Sequence, residues 1–535
     1  MTMTASIKIF LYITFALHFL YTILHLKKDL HILQLHSYYN SRYLRWLRQK
    51  WFVALRWYDI LPLVSSVFLG FKLNYLAILS FNLIYWLVFY FTRPKTKEKK
   101  PLIFTSRAVR LYFVSAIFLA IIYALFSSAV YFNENFLLVD ALFALILLNI
   151  ATPLLLLIAN LIILPLELII QSYYFNDAKK RLALMPNLKV IGITGSFGKT
   201  TTKCALNEIL RQRYQVLIAP GSYNTPMGIA KIVRNDLKST HEIFVAELSA
   251  KKRGDIKELC ELVHPEMGVL TAIGEQHLET FKSLENIKRT KYELIDFLPK
   301  EAPTFFNADD ANCLALSKIS DRNVIYYGIH VAHLHYRAKN ICIEPLGSDF
   351  TVEKQDGSTV RLHTKLLGEH NIYNILAAVA VASEMGIPLA DMVYPIRTLK
   401  PVEHRLELKK IGPGATLIDD SFNSNPVGSK TALEVLAAMP GGKKVIITPG
   451  MVELGKKEYA LNREFGRHIA KVCDYVILVG KKQTLALQDG LKEENFLDGN
   501  IYLAESFQEA YKHLQGILQP EDVVLFENDL PDNYD

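Results

Sequence analysis

A helical membrane region, a P-loop α/β domain and a Rossmann-like α/β domain, in that order, are the architecture the sequence predicts. Three observations predict it. The chain has 535 residues, too many for one compact core. Its first third is apolar and basic, with runs long enough to cross a bilayer. After Pro186, short β-branched segments alternate with helical ones, and the first of these runs into a glycine-rich loop.

The composition is 51% hydrophobic, with a mean hydropathy of +0.18. That average hides a division. Residues 1–183 carry 19 Lys and Arg against 7 Asp and Glu, and the remainder carries 41 against 45. The net charge of +8 therefore comes from the apolar part. Basic residues around apolar runs are membrane flanks. A nucleic-acid surface would concentrate them on the soluble part, so a nucleic-acid partner is not expected.

Crossing the hydrocarbon takes about 20 apolar residues as helix. Runs of that kind lie near 7–26, 60–71 (short), 73–91, 111–132 and 136–170, the last containing Pro153 and Pro165. The final run reads as one kinked span or as two segments. The first has no small-residue cleavage site behind it, which makes it an anchor and not a removable signal. Basic clusters at 27–56, 93–110 and 179–181 belong on the cytoplasmic side, which gives about five spans with the N-terminus outside. Residues 1–183 are thus expected to be a multi-pass region in the inner or plasma membrane, with the bilayer as partner and the soluble part in the cytoplasm. Asp140 and Glu167 are the acids within the runs, and both read as interfacial and solvated. The five cysteines all follow residue 183, without metal-type spacing.

The central α/β domain is expected over 184–399. Lys189–Thr194 reads as a strand, followed by Gly195, Ser196, Phe197, Gly198, Lys199, Thr200 and Thr201, where a helix begins. Glycines let backbone N–H groups close on phosphates, and the helix N-terminus favours the anion. Lys199 reaches the terminal phosphates and Thr200 offers a hydroxyl to Mg²⁺. A strict Walker pattern would place glycine at 193, which is Ile193. A more β-rich stretch is expected over 323–366. From about Pro401 a separate domain, 400–535, carries strands near 444–448, 475–479 and 523–526 between helices.

Several segments in one order resemble the Mur ligase family, in particular its branch that adds D-alanyl-D-alanine. The loop GITGSFGKTTTK resembles the family's T-G-[ST]-x-G-K-[ST]. Ser222–Gly228 is similar to the segment that helps hold a nucleotide-sugar substrate. Phe244–Ser249, with Arg253–Ile256 after it, resembles a strand-end glutamate and the helix start beyond. Thr271–Ser283, Ile287–Glu293, Phe306–Asp310, Gly368–Ala378, Glu403–Glu407, Ile418–Pro426 and Met451–Gly455 match further family motifs.

The resemblance implies an ATP-dependent, ADP-forming peptide ligase of cell-wall precursor synthesis that works through an acyl phosphate. It implies two Mg²⁺ ions, one on Thr200 and Glu247 and one on His277 and a carbamylated Lys291. It implies that Lys199, His277, Lys291 and Arg405 act in catalysis. Gly195, Ser196, Gly198, Thr201, Asn371, Asn374 and Asp420 would join them around the nucleotide. Asn224, Thr225, Asn423 and Asn425 would meet the cell-wall precursor and the amino acid or dipeptide added to it.

Without the resemblance, Lys291 reads as a solvated surface charge, His277 as structural, and Asn371 as a helix cap as readily as a ligand contact. Two departures stand out. The family's uridine-nucleotide-binding domain has no counterpart in residues 1–183, and the segment from Leu525 lacks the family's Lys-Gly-Ser-type loop. A ligase acting on a lipid-linked or polyglutamate-type acceptor is therefore the first alternative, and a non-catalytic membrane scaffold or transporter the second. Oligomeric state is not legible.

Overall fold

In the computed structural model, residues 5–51, 84, 85, 88, 101–132, 138–221, 223–422 and 424–529 are described. The chain divides into two compact units, Met1–Gln171 and Ser172–Asp529. The sequence had suggested a boundary at 183. The turns after Gln171 belong instead with the second unit, because Ala178 is buried in its core and Phe175, Leu182 and Met185 pack against that core.

The first unit is helical, with helices Ala5–Leu35, Asn40–Gln49, Ser106–Phe132 and the start of Leu138–Ala183. Pro153 and Pro165 both lie inside that last helix, so the final apolar run is one segment and not two. Among the described residues, Ser106–Ala129 and Leu147–Ala183 are long and apolar enough to cross a membrane. The expected spans at 60–71 and 73–91 fall, but for Ile84, Tyr85 and Val88, outside the described residues.

These helices carry apolar side chains on their outer surface as well as in a buried cluster that includes Leu26, Leu30, Leu111 and Leu156. Ile117, Ile121, Leu125, Ile158, Leu161 and Ile162 are each at least half exposed, while polar groups meet inside. Thr22 Oγ1 donates to Asn149 Oδ1 at 2.7 Å, Asn149 Nδ2 donates to His18 Nε2 at 3.0 Å, and Thr152 Oγ1 donates to Asp29 Oδ2 at 2.9 Å. Glu167 is not solvated as its sequence position suggested. It is buried and takes two bonds from Arg110, at 2.6 and 2.9 Å. The side chain of Asp140 lies outside the description.

The second unit holds two sheets. The strands of the first are β1 (Lys189–Thr194), β2 (Val216–Ile218), β3 (Ile243–Glu247), β4 (Met267–Leu270), β5 (Pro303–Asn307), β6 (Asn323–Gly328), β7 (Tyr336–Glu344), β8 (Gly347–Lys354) and β9 (Thr359–Thr364). Their order is β2-β3-β1-β4-β5-β6-β7-β8-β9. Pairing is parallel through β7 and antiparallel across β7, β8 and β9, which is the β-rich stretch expected at 323–366. Every residue of β3 is buried, as helices on both faces of a parallel sheet require. One face packs Leu206 and Ile209 with Ile375, Leu376 and Val379; the other packs Ile229, Leu259 and Leu262 with Leu294 and Ile295.

The second sheet contains β10 (Glu407–Ile411), β11 (Ala415–Asp420), β12 (Lys444–Thr448), β13 (Tyr475–Val479), β14 (Ile501–Ala504) and β15 (Val523–Glu527), in the order β10-β11-β15-β12-β13-β14. Only β10 runs antiparallel. The chain order reverses at β1 in the first sheet, and open α/β sheets bind ligands outside the carboxyl ends of strands at such a switch point.

Candidate active site at the carboxyl ends of β1, β3 and β4

The loop after β1 turns into the helix Lys199–Leu210 through Gly198, which takes φ +80. A Cβ there would also strike Asn374 Oδ1, so the position admits only glycine. The loop is tied to the segment after β4. Ser196 N donates to Ala272 O at 2.7 Å, Ser196 Oγ donates to Gly274 O at 3.0 Å, and Thr271 Oγ1 donates to Phe197 O at 2.5 Å. Lys199 folds back over the loop, its Nζ donating to Gly195 O at 2.8 Å and Ser196 O at 3.2 Å. Burial lowers its pKa to about 8; Glu247 opposes the shift and the Arg405 guanidinium adds to it.

Glu247 ends β3 and is buried. Thr200 Oγ1 donates to its Oε2 at 3.0 Å and Asn224 Nδ2 to its Oε1 at 2.9 Å, while Lys203 Nζ lies 3.3 Å from Oε2. Burial alone would raise the Glu247 pKa, but Lys199, Lys203, Asn224 and Thr200 outweigh it and hold the carboxyl below its usual range. Lys203 was not singled out from the sequence. It is buried and donates to Ala219 O at 2.8 Å and Gly221 O at 2.7 Å. Its signal was available: it lies one helical turn after Lys199, on the same face.

Lys291, in the helix Leu284–Phe297, is buried and not the solvated charge its residue type alone suggests. Burial drives its pKa well down, with the Lys199 charge adding and Asp255, Glu247 and Glu293 opposing. His277 is reached differently. Its Nδ1 is bonded to the carboxylate of Glu453, beyond β12 in the second sheet's part of the chain. Glu453 is the other residue that reading by motif left without a role.

The second sheet brings Arg405 to this region. It lies over the Phe422 ring at 4.7 Å, and its charge is felt by Lys199. A cavity of about 680 Å³ opens beside Thr200 and Lys203, with Thr398–Arg405 and Phe422 on its other wall. Asp420, at the end of β11, accepts from Leu406 N at 3.2 Å and is raised to about 6 by burial. Its neighbour in register is Glu527, also buried and also raised.

The remaining expected residues have local partners. Asn371 Nδ2 donates to Leu367 O at 2.8 Å, and Asn374 Nδ2 donates to Asn371 Oδ1 at 3.1 Å. Asn371 therefore does not cap its helix, where Gly368 is the N-cap residue. Thr225 and Asn425 are themselves N-caps, accepting from Gly228 N at 3.2 Å and Gly428 N at 2.9 Å. Thr201 is buried in the first turn of its helix, and Asn423 lies outside the described residues. His404, Glu407 and Asp419 cluster within 4.8 Å. Lys409 already fills that cluster, its Nζ 2.7 Å from Asp419 Oδ2 and 2.8 Å from Glu407 Oε2.

The donors around Glu247 are hard oxygens, Thr200 Oγ1 and a carboxylate, which suit Mg²⁺. The whole arrangement can hold a polyphosphate against buried cations and offer a divalent ion a carboxylate beside it.

Two family models match this chain: "Mur ligase middle domain" over residues 193–382 and "Mur ligase, glutamate ligase domain" over 404–527. Among named relatives, the UDP-N-acetylmuramoyl-tripeptide--D-alanyl-D-alanine ligase of Haemophilus influenzae is 30% identical over 318 residues, covering 58% of this chain and 68% of the relative. The Escherichia coli ligase of that name is 34% identical over 297 residues (55% of this chain), and the Bacillus subtilis one 31% over 306 residues (57%). The chain spans 65% of the length of each of these two. Among solved structures, MurF from Acinetobacter baumannii superposes with a TM-score of 0.60 at 25% identity, covering 67% of this chain and 77% of the other. MurF ligase from Thermotoga maritima in complex with ADP gives 0.59 at 27% identity, covering 67% and 80%.

Proposed function

The chain belongs to the Mur ligase family, and from that premise we propose that it is an ATP-dependent, ADP-forming ligase that adds D-alanyl-D-alanine to a muramoyl-tripeptide. One observation carries the proposal. Lys199, Thr200, Glu247 and a fully buried Lys291 gather at the switch point of the first sheet, and Arg405 of the second adds its charge there.

Lys199 and Arg405 hold and neutralise the ATP phosphates, with the N-terminus of the helix Lys199–Leu210 beside them. A carboxylate oxygen of the acceptor attacks the γ-phosphorus, the bond to the β-bridging oxygen breaks, and ADP leaves. The amine of the second substrate then attacks the acyl carbon, the C–O bond to phosphate breaks, and the amine's proton leaves with the departing phosphate. Thr200 and Glu247 would hold one Mg²⁺, and His277 with Lys291 a second. Bound there, the ions supply charge neutralisation to the phosphoryl oxygens. Burial lowers the Lys291 pKa and so favours its amine, the form that would add CO₂, with release of one proton, to give an anionic ligand. Enclosing the site excludes water that would hydrolyse the acyl phosphate.

The half-exposed isoleucines and leucines of the helices Ser106–Phe132 and Leu138–Ala183 and their inward polar bonds support a membrane-held enzyme, and the basic clusters beside the apolar runs support a cytoplasmic catalytic part. The same feature favours one second reading, a lipid-linked acceptor in place of a UDP-linked one. Both are tested by measuring ADP release from the detergent-solubilised protein with UDP-N-acetylmuramoyl-tripeptide and D-alanyl-D-alanine, omitting each in turn, beside Lys291→Ala. Release that needs both and is lost in the variant establishes the first reading. Release only with a lipid-linked tripeptide establishes the second, and release with neither acceptor ends both.

A further inference from the structure

The loop after β12 carries Met451–Gly455, and the mechanism above gives it nothing to do. It nevertheless reaches from the second sheet's part of the chain to the segment after β4. Glu453 bonds His277 Nδ1 through its carboxylate, and its backbone carbonyl accepts from Glu279 N at 3.2 Å. Lys457 Nζ donates to Glu275 Oε1 at 2.5 Å beside this contact. A Cβ on Gly455 would stand 3.5 Å from Glu279 N, so the two backbones run close.

Backbone strain singles the contact out further. His277 has φ 53 and Glu453 has φ 64, so both partners occupy the left-handed region that L side chains disfavour. Such strain persists only where the surroundings over-determine it, and it collects at working sites. Here it aims two side chains at each other across 176 residues of chain.

We infer that Glu453 is a positioning residue for His277, orienting it as a metal ligand when the second sheet's domain docks; the inference rests on the two-metal ligase reading. A carboxylate only accepts hydrogen bonds, so the Nδ1 it meets carries a proton, and Nε2 is the nitrogen left to face a metal. Metal-ligating histidines are commonly fixed in this manner, and the carboxylate also raises their basicity. In this chain the carboxylate comes from a different sheet than the histidine. A metal held through Nε2 is thereby tightened by docking, and docking by the metal, as linkage requires.

Mn²⁺ binding, followed by the electron paramagnetic resonance signal of the free ion, tests this on the full detergent-solubilised chain with a non-hydrolysable ATP analogue. Wild type is expected to bind two Mn²⁺, one of them lost in His277→Ala. Glu453→Gln should weaken that same ion about 10- to 100-fold, leave the other and the nucleotide affinity unchanged, and shift the His277 ¹⁵N resonances away from the Nδ1–H tautomer. Glu453→Asp should recover part of the loss. Lys457→Ala, which cuts the neighbouring ion pair only, should leave both ions in place. Two ions in wild type with no change in Glu453→Gln overturn the inference and spare the ligase reading. Equal weakening in Lys457→Ala also overturns it, since docking and not the carboxylate is then responsible. A single ion in wild type, untouched by His277→Ala, removes the two-metal reading and the inference together. If Glu453→Gln no longer binds nucleotide, Glu453→Asp decides between the same outcomes.

Discussion

On the proposed ligase reading Lys199 meets phosphates as a cation, yet burial lowers its pKa to about 8. Below that pH the free protein offers an ammonium; above it the amine is neutral until an anion arrives. Bound polyphosphate favours the charged form and restores the proton. ATP affinity should therefore weaken by up to about tenfold per pH unit above pH 8, with close to one proton taken up on binding. Calorimetry at pH 9 in two buffers of different ionisation enthalpy measures that uptake, and a null result there contradicts the assignment. Lys203 makes a different demand. Its ammonium and the Glu247 carboxylate are both buried, at 1% and 2% side-chain exposure. Removing Lys203 takes away one of the two buried cations that offset Glu247 and leaves Lys199, Thr200 and Asn224, so Lys203→Met should cost up to about 3 kcal/mol in denaturant unfolding. A loss below about 1 kcal/mol would mean water reaches Glu247.

Elements position these residues by their ends. β1, β3 and β4 stop at one edge, so the loops that follow them converge without any long excursion. The helices that begin nearby are fixed by side-chain caps, Thr225 before Pro226–Asn235 and Asn425 before Pro426–Ala438. Each has proline in its first turn, where a missing N–H costs nothing. Thr225→Ala and Asn425→Ala should each cost about 1 kcal/mol, visible as a lower Tm, with Thr225→Ser and Asn425→Asp restoring it. If substrate contact rather than capping is their main duty, the Michaelis constants will rise and the restoring variants will not rescue them. The asparagine pair in Glu369–Glu384 is held differently, by bonds within its own helix and the turn before it.

At the scale of the molecule, the buried clusters on both faces of both sheets are confined to residues after Gln171. Residues 172–529 should therefore fold alone, with a cooperative thermal transition and retained nucleotide binding. The full chain should stay with membranes through alkaline carbonate extraction while the fragment does not. A fragment that aggregates without a transition would show that the second unit depends on the first.

The strands, the phosphate loop and the order of motifs were legible in the sequence because they are local. Periodicity, β-branching and glycine placement act between neighbours, and the strands at 444–448 and 475–479 stand where those patterns put them. The helices Ser106–Phe132 and Leu138–Ala183 were legible for the same reason, since uninterrupted apolar runs need no partner to be recognised. Tertiary structure alone decided what lies beneath the surface. The burial of Lys291, the meeting of Lys203 with Glu247, the pairing of Arg110 with Glu167 and the reach of Glu453 to His277 are contacts between residues remote in sequence. A lysine or glutamate reads the same in a sequence whether solvated or enclosed. Only the packing around it sets the desolvation and the partner charges that determine what it can do.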